Sequence, residues 1–341
     1  MEINMYNVGV IGLGLIAYGI DKDPNRKIIW SHIKAYKSIE NIRISSVCDV
    51  NKSLVDSIQK ECDIPNGYTD YKEMLKSNKF DIVSICTPIQ THFDIIKECI
   101  KNGVKVIFCE KTISYSLEES KEIVELCDKH NVIIAVNYIF RWDNLIQEIK
   151  GLLDSNAIGN IYSLVGYGAT ALHTSTSHLI DLLLYFSGSD IEYVVGDIQK
   201  DFVRNVHGIS DVGGTGMIKF KSNSIGFIKG TSSSPMKYMF ELDIIGENGR
   251  IRLYNNGSSY DLYKFSSSEN SSGSKYEHLD LVYSKHNTTP NERMIDAILS
   301  LIEGIETGKQ PVSNIKTAIE SIEVIESIKL SSMNGNIIKF Q

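Results

Sequence analysis

A glycine-containing turn that follows an apolar run constrains the fold of this chain more than any other feature. The run 6–11 has the length and composition of a buried strand, and Gly12-x-Gly14-x-x-Ala17 follows it directly. This spacing is typical of the first β-α turn of a dinucleotide-binding domain, in which glycines allow a tight turn and a close approach to a pyrophosphate. An ordinary structural turn is the alternative interpretation. The residues expected to line a pyrophosphate site are Gly12, Gly14, Leu15 and Ile16.

Apolar runs alternate with helical stretches over the first 137 residues. After the first run, strands are predicted over 42–48, 80–86, 104–109 and 132–136. Such alternation predicts a doubly wound parallel sheet, which binds ligands at the carboxyl ends of its strands. His92, on the helix after the third strand, is expected to shape the cofactor loop. The other candidates for the cofactor site, at the strand ends, are Asp49, Thr87, Pro88, Glu110, Lys111 and Asn137.

A carboxylate follows the second predicted strand, where a dinucleotide-binding domain recognises the ribose. Asp49 can accept hydrogen bonds from the ribose hydroxyls of NAD and would repel the 2′-phosphate of NADP, so we expect NAD. Asp49 lies 32 residues beyond Ala17, whereas about 20 residues is the usual separation. Loop-forming residues 21–26 interrupt the first helix and account for the excess. The inserted segment 21–32 is either a lid over cofactor or substrate, or length that the fold tolerates.

Beyond Arg141 consecutive strands replace the alternation. The strands are predicted over 161–168, 191–203, 214–220, 224–231, 237–246, 249–254 and 259–265, and the helices over 142–153, 175–186, 291–307 and 313–331. Strands without intervening helices predict an open, mostly antiparallel sheet with one face against helices and one face free. The serine-rich residues 266–274 are expected to form a hairpin tip or loop.

Composition excludes several classes of protein. The chain has 341 residues, more than a single core usually holds, so two domains are expected. A net charge of −7 lacks the basic field that nucleic acids require, and no apolar run reaches the ~18 residues of a membrane span. The six cysteines contain no CxxC pair, which argues against a disulfide framework. We expect a cytoplasmic protein without a nucleic-acid, membrane or metal partner.

Several motifs, in this order, resemble those of the Gfo/Idh/MocA oxidoreductases. They are Gly12-x-Gly14-x-x-Ala17, Thr87-Pro88-x-x-x-His92, Glu110-Lys111, Asn137-x-x-x-Arg141, His178-x-x-Asp181 and Phe240-Glu241-x-x-x-x-Gly246-x-x-Gly249. The resemblance implies an NAD(P)-dependent dehydrogenase or reductase of sugars, inositols or nucleotide-sugars. It implies an N-terminal Rossmann domain, here 1–137, and a C-terminal α/β domain, here 138–341, for substrate binding and oligomerisation. A late helix can pack back on the first domain, and relatives pair through the second-domain sheet into homodimers or homotetramers.

Lys111 is the first catalytic candidate, because the resemblance places it where the nicotinamide ring meets the substrate. An ammonium there can hydrogen-bond a carbinol oxygen and stabilise the charge that develops during hydride transfer. The alternative is a solvated surface lysine, which most lysines are. The family motif is Glu-Lys-Pro, and Thr112 replaces the proline in this chain.

His178 is the second catalytic candidate, on a predicted helix with Thr174 one turn before it and Asp181 one turn after it. Its imidazole would take the hydroxyl proton as hydride leaves and return it in reduction; a satisfied core histidine is the alternative. Relatives often have aspartate where this chain has Thr174, so an unusual substrate preference or His178 pKa is expected. Asp181 would orient substrate or imidazole, or remain a helix-surface charge, and His173 is a pocket wall or a partial substitute.

Tyr138 and Arg141 complete the predicted substrate site. A guanidinium suits a carboxylate or phosphate, which points to an acidic or nucleotide-linked sugar; a surface ion pair is the alternative for Arg141. The sequence therefore predicts an NAD(H)-dependent oxidoreductase of a sugar or sugar derivative. Two other functions stay open: a hydrolase or lyase that uses NAD for transient oxidation, and a non-catalytic sensor that binds NAD and a sugar. Steady production of NADH would separate the first function from both.

Overall fold

Two compact units make up the chain. The computed structural model describes residues 5–206, 208–231, 233–234, 237–266, 276–287 and 290–340. The first unit comprises Met1–Trp142 with Asn291–Ile319, and the second comprises Asp143–Pro290 with Glu320–Gln341. The roles that the sequence analysis assigned to domains 1–137 and 138–341 stay predictions.

A six-stranded parallel sheet forms the centre of the first unit. Its strands are β1 (Tyr6–Ile11), β2 (Ile42–Cys48), β3 (Asn66–Tyr68), β4 (Ile82–Ile85), β5 (Val106–Cys109) and β6 (Ile133–Val136). They lie in the order β3-β2-β1-β4-β5-β6, and all neighbouring pairs run parallel. The strand order reverses between β1 and β4, and ligands of doubly wound sheets bind at such a reversal. The predicted Rossmann sheet is confirmed.

Helices cover this sheet because strands buried on both faces need cover on both faces. The helices of the first unit are α1 (His32–Lys37), α2 (Lys52–Cys62), α3 (Tyr71–Ser77), α4 (His92–Lys101), α5 (Leu117–His130) and, later in the chain, α8 (Arg293–Thr307). Side chains of Asn51, Asp70 and Ser116 accept hydrogen bonds from backbone N–H groups in the first turns of α2, α3 and α5. Helix α8 packs against α1, β5 and β6.

The inserted segment after the glycine turn is held by defined hydrogen bonds. One short 3-10 turn, Gly19–Lys22, overlaps its start, and α1 begins at its last residue, His32. The Asp21 carboxylate accepts from the backbone N–H of Trp30 at 3.0 Å and of Ser31 at 2.8 Å, and from Ser31 Oγ at 2.7 Å. Glu292 Oε2 accepts from Ile29 N at 2.7 Å. The segment is therefore anchored along its second half.

A nine-stranded, mostly antiparallel sheet forms the centre of the second unit, as the sequence predicts. Its strands are β7 (Ile161–Gly168), β8 (Ile191–Val206), β9 (Ile209–Phe220), β10 (Ile225–Gly230), β11 (Phe240–Gly246), β12 (Gly249–Tyr254), β13 (Ser259–Ser266), β14 (His278–His286) and β15 (Ile338–Lys339). They lie in the order β14-β13-β12-β11-β7-β10-β9-β8-β15. Among the described strands of this second sheet, only β7 and β10 are parallel neighbours. Residues 267–274 of the predicted hairpin tip lie outside the described residues.

One face of this sheet packs closely against helices. The second unit contains α6 (Asn144–Asp154) and α7 (Ser177–Ser187), and α9 (Ile315–Asn334) begins in the first unit and ends in the second. A Cβ at Gly168 would lie 2.9 Å from Leu179 of α7, and one at Gly216 would lie 2.7 Å from Ile328 of α9. Glycine at both positions lets the helices approach the strands. Among the described helices, none has both the length and the apolar character that crossing a bilayer requires.

Candidate cofactor and catalytic site

The glycine turn after β1 has the shape that a pyrophosphate requires. Gly12 has a φ of +86°, which favours glycine, and a Cβ there would lie 2.7 Å from the backbone carbon of Cys86. A Cβ at Gly14 would meet nothing within 4 Å, so this part of the backbone borders open space. Leu15 is 68% exposed and Ile16 is half-buried. The turn fits the predicted dinucleotide, because its backbone is accessible and its tightest position is glycine.

Asp49 lies at the carboxyl end of β2 and is fixed against the glycine turn. Its Oδ2 accepts from Leu13 N at 2.8 Å, and its Oδ1 accepts from Asn51 N at 2.9 Å. A carboxylate oxygen has two lone pairs, so each oxygen can still accept from a ribose hydroxyl. The carboxylate is therefore preorganised for the ribose contact that the sequence predicts.

We expect Asp49→Ala to weaken NAD binding by about 10- to 100-fold, the effect of losing hydrogen bonds to a charged group. NADP binding should weaken less, because the repulsion of its 2′-phosphate disappears as well. Fluorescence titration of both cofactors measures the two affinities. Asp49→Asn is the matched variant, since it keeps an oxygen acceptor for Leu13 N and loses only the charge. Tighter binding of NADP than of NAD by the unmodified protein would refute the prediction.

His92 connects the segments that follow β4 and β5. Its Nε2 lies 2.9 Å from the carbonyl oxygen of Thr87, and its Nδ1 lies 3.1 Å from that of Thr112. Burial lowers the pKa of His92, which favours the neutral ring, and a neutral ring donates to one of these two carbonyls at a time. Thr87 also accepts at Oγ1 from Thr91 Oγ1 at 2.7 Å. This geometry suits a residue that shapes the loop beginning at Pro88; its contact with cofactor stays a prediction.

The side chains of Glu110 and Asn137, which follow neighbouring strands, are hydrogen-bonded to each other. Glu110 also contacts His32, which no sequence pattern predicted. Glu110 Oε1 accepts from Asn137 Nδ2 at 2.6 Å and from His32 Nε2 at 3.0 Å. Burial alone would raise the pKa of Glu110, but the hydrogen bond and charge of His32, the Asn137 amide and the Lys111 charge outweigh burial and lower it. Glu110 is therefore an ionised carboxylate directly before Lys111.

Lys111 is half-buried and follows β5 immediately after Glu110. The peptide bond from Lys111 to Thr112 is cis, and Thr112 is buried. Tyr138 and Arg141 are also buried, and Arg141 Nη1 donates to the carbonyl oxygen of Val312 at 3.0 Å. Arg141 is thus not at the surface. The substrate roles of Tyr138 and Arg141 stay predictions.

The predicted substrate residues of the second unit lie around the start of α7. His178 is half-buried there, whereas Asp181 is buried. The sequence predicted Thr174 on the same helix, and this is corrected: a π turn, Leu172–Thr176, precedes α7, and Thr174 has a non-helical ψ of −108°. Ser177 Oγ donates to the Thr174 carbonyl at 2.7 Å, and this contact helps to stabilise the wider turn.

Asp211 of β9 holds this π turn, and the sequence analysis did not select it. Its Oδ1 accepts from His173 N and its Oδ2 from Thr174 N, both at 3.0 Å, and the residue is only 1% exposed. A carboxylate thus reaches the turn from a strand, at His173 and Thr174. An aspartate within a strand of mixed polarity gives no signal of this contact in the sequence.

His173 is engaged by Lys329 of α9. The distance from Lys329 Nζ to His173 Nε2 is 2.9 Å, and Lys329 also donates to Glu326 Oε1 at 2.7 Å. An ammonium can only donate, so Nε2 accepts and the ring is neutral. The 3.8 Å between Nε2 and Glu326 Oε1 is too long for a hydrogen bond. Since this nitrogen already accepts a hydrogen bond from Lys329, it is occupied, and the role of His178 in proton transfer stays a prediction.

Comparison with protein families identifies both units. Residues 6–138 match the family described as an oxidoreductase family with an NAD-binding Rossmann fold, and residues 165–252 match the Gfo/Idh/MocA C-terminal domain. The two matches together cover more than half of the chain. The chain belongs to the Gfo/Idh/MocA oxidoreductase family. The family prediction is confirmed, and NAD is the cofactor of its Rossmann domain.

Relatives of this Gfo/Idh/MocA protein include named dehydrogenases. The myo-inositol 2-dehydrogenase of Thermotoga maritima is 23% identical over 259 residues, which cover 72% of this chain and 74% of that protein. Levoglucosan dehydrogenase, solved with NADH and L-sorbose, superposes with a TM-score of 0.82, 17% identity and 99% coverage of both chains. The WlbA dehydrogenase of Bordetella pertussis, solved with NADH and UDP-GlcNAcA, has a TM-score of 0.78, 17% identity and 99% coverage of both chains. These structures share the fold.

Proposed function

We propose that this Gfo/Idh/MocA protein transfers a hydride between NAD and a carbon of a sugar or sugar derivative, with Lys111 and His178 acting at the oxygen of that carbon. The observation that carries the proposal is the anchored, ionised Glu110 directly before Lys111 at the carboxyl edge of the NAD-binding sheet. NAD supplies the hydride acceptor when bound, and NADH the donor. The residues proposed to hold it are Gly12, Gly14, Leu15, Ile16, Asp49, Thr87, Pro88, His92, Glu110, Lys111 and Asn137.

Lys111 contributes a positive charge to the proposed reaction. As the C–H hydride leaves a carbinol carbon, its oxygen loses a proton and becomes a carbonyl oxygen, and negative charge develops on it. A hydrogen bond from Lys111 Nζ stabilises that charge. The neighbouring Glu110 carboxylate favours the ammonium form of Lys111, because an opposite charge nearby favours the charged state.

His178 moves the proton in the proposed reaction. A ring nitrogen takes the hydroxyl proton during oxidation and returns it during reduction. His178 is half-buried at the start of α7, which leaves part of the ring accessible. Its neighbour Thr174 carries no charge, and the turn that holds Thr174 instead receives the carboxylate of Asp211. Asp181 and His173 are proposed to line the same substrate site.

The proposed substrate class is polyhydroxylated. Relatives are named for myo-inositol, scyllo-inositol and D-apiose, and one neighbour was solved with a UDP-linked acidic sugar. Acidic and nucleotide-linked sugars therefore belong in the test beside neutral sugars and inositols. The contact of Arg141 with the Val312 carbonyl engages Nη1 within the first unit, so an acidic substrate does not follow from Arg141 alone.

The test is NADH formation, followed by absorbance, with purified protein, NAD and a panel of sugars, inositols, uronic acids and nucleotide-sugars. We expect steady production of NADH with at least one member and no production without protein. Product formation without net NADH would instead identify a hydrolase or lyase that oxidises its substrate transiently. Binding of NAD and sugar without any product would identify a sensor, and either result would overturn the proposal.

We also propose a reducing compartment, the cytoplasm, for this protein. All six cysteines are free thiols, and all six are buried. Thiols persist in this form where the cell keeps them reduced.

Homo-oligomerisation through the free face of the second-unit sheet is the associated assembly proposal. Val195, Met217, Phe227 and Val165 lie side by side across four neighbouring strands of that face. Phe227 is 42% exposed. An apolar row of this kind suits contact with a second copy of the chain, because large bare apolar patches are rare on monomers.

We expect light scattering at micromolar concentration to give a mass of two or four times 38.2 kDa. Phe227→Glu should shift the mass towards one chain, because it places a charge within the apolar row. Val50→Glu, at a 92% exposed position of the first unit, is the control and should leave the mass unchanged. A single-chain mass for the unmodified protein would reject the assembly proposal.

A further inference from the structure

A chain of hydrogen bonds runs through the interior of the first unit to Glu110. The hydroxyl of Tyr36 lies 2.7 Å from Ser84 Oγ, which lies 3.0 Å from His32 Nδ1. His32 Nε2 lies 3.0 Å from Glu110 Oε1. Tyr36, Ser84 and His32 are fully buried, and they come from α1 and β4. Three buried side chains thus connect the helix after the insertion with the residue before Lys111.

The direction of the hydrogen bond to Glu110 follows from the chemistry of the groups. A carboxylate only accepts, so His32 Nε2 carries the proton that it donates to Glu110. Ser84 Oγ lies within hydrogen-bonding distance of His32 Nδ1 on one side and of the Tyr36 hydroxyl on the other. Burial raises the pKa of Tyr36, so its hydroxyl keeps the proton that it donates. His32 therefore donates to Glu110, and Ser84 connects the other ring nitrogen of His32 with Tyr36.

We propose that His32 is a positioning residue for Lys111. His32, which is hydrogen-bonded to Ser84 and through it to Tyr36, holds the Glu110 carboxylate and thereby fixes the backbone position of the next residue, Lys111. The proposal rests on the proposed function, in which Lys111 acts at the substrate oxygen. The backbone supports it, since Glu110 N donates to the Ile85 carbonyl at 2.9 Å. Because the N–H and the carboxylate of Glu110 are both hydrogen-bonded, Glu110 has little conformational freedom, and the backbone of Lys111 is restrained with it.

The inserted segment places His32 for this role. Asp21 fixes the backbone N–H groups of Trp30 and Ser31, the two residues before His32. The N–H of His32 itself donates to the Ile16 carbonyl in the glycine turn at 3.2 Å. The insertion is thus more than additional length: its anchored end sets the start of α1, from which the imidazole reaches Glu110.

His32 and Asn137 donate hydrogen bonds to the Glu110 carboxylate, and several nearby ionisable groups are uncharged. Burial raises the pKa of the Cys86 and Cys109 thiols well above their usual range, and burial lowers that of His92, so all three are uncharged. Lys111 is the charged group next in the chain. The ionisable groups that act on Glu110 are His32, Lys111, His92, Cys86 and Cys109.

The test uses His32→Ala, Ser84→Ala and Tyr36→Phe in the full chain, with two readouts. Carboxyl ¹³C NMR of glutamate-labelled protein measures the pKa of Glu110, assigned with Glu110→Gln. We expect His32→Ala to raise that pKa by about 1–2 pH units, because the buried carboxylate loses a charge-assisted hydrogen bond. Ser84→Ala and Tyr36→Phe should raise it by successively smaller amounts. His32→Gln, whose amide can donate, should restore part of the difference.

Kinetics provide the second readout. His32→Ala should lower kcat by about 10- to 100-fold, as a displaced catalytic group does, with KM for NAD nearly unchanged. In the background of Glu110→Gln, His32→Ala should have little further effect, because both changes act through one carboxylate.

Matched controls separate positioning from general stability. Ser46→Ala removes a hydroxyl from another fully buried serine of the same sheet, and Tyr6→Phe removes the hydroxyl of a buried tyrosine that bonds Glu306 instead. Neither should move the Glu110 titration. A lower Tm for His32→Ala with an unchanged Glu110 titration would overturn the proposal. If the unmodified protein has no dehydrogenase activity, the proposed function fails, and the NMR titration still decides whether His32 holds Glu110.

Discussion

Replacing Lys111 with alanine should lower kcat by about 10²- to 10³-fold, the effect of removing one donor from a developing oxyanion. The physical reason is the loss of the ammonium that follows the anchored Glu110 at the end of β5. NAD affinity should change little, because the predicted ribose contact belongs to Asp49. Steady-state kinetics with the best substrate of the panel, together with fluorescence titration of NAD, measure the two quantities.

Two further variants sharpen this test. Lys111→Arg keeps a positive charge but changes its shape and reach, so it should recover only part of the lost kcat. Lys105→Ala removes an exposed lysine next to the opposite end of β5, whose Nζ donates to the His130 carbonyl, and should leave kcat unchanged. If Lys111→Ala retained full kcat, Lys111 would be a surface charge and the proposed role would be wrong.

Replacing His178 with alanine should lower kcat by about 10²- to 10⁴-fold, the range for a positioned acid or base. For oxidation the neutral imidazole is the active form, so activity should fall as pH drops through the His178 pKa, and the variant should lack this acid limb. A pH profile of kcat from initial rates measures both effects. His173→Ala should keep the limb, because Lys329 already donates to the Nε2 of that ring.

Thr174→Asp tests the charge at the position where the family resemblance implies an aspartate. An anion near His178 favours imidazolium and therefore raises its pKa, so the acid limb of the oxidation profile should move to higher pH. Thr174→Asn is the matched control, since it adds a similar side chain without charge and should leave the limb in place. An active His178→Ala enzyme with an unchanged pH profile would show that the proton is transferred elsewhere.

Local pattern was sufficient to predict five of the six strands of the first unit's sheet, and the three-residue strand β3 was missed. The run at β1 ends where the glycine turn begins, and the run at β2 ends before Asp49, because buried parallel strands are continuous apolar stretches bounded by turn residues. Because the carboxyl ends of parallel strands lie at the same edge of the sheet, Glu110 and Asn137 could be predicted to lie close together. In the structure their side chains are hydrogen-bonded to each other. The role of these residues towards NAD stays a prediction.

Elements whose sequence pattern is weak were harder to predict. Strand β14 was missed because every one of its residues is exposed and it shows no alternation of buried and exposed positions. Strand β9 begins at Ile209, five residues before its predicted start, because pairing with β8 extends it. Thr174 was predicted on the helix of His178, but contacts with Asp211 place it in a π turn.

The sequence by itself determined the Rossmann sheet, the family and the candidate residues at the strand ends, since these depend on local periodicity and on motifs of fixed spacing. Only the tertiary structure decided which distant side chains support those candidates. His32 and Glu110 are 78 residues apart, and Asp211 lies 37 residues beyond Thr174. Such pairs depend on strand order and helix packing, and a hydrogen bond between two distant residues produces no periodic pattern in the sequence.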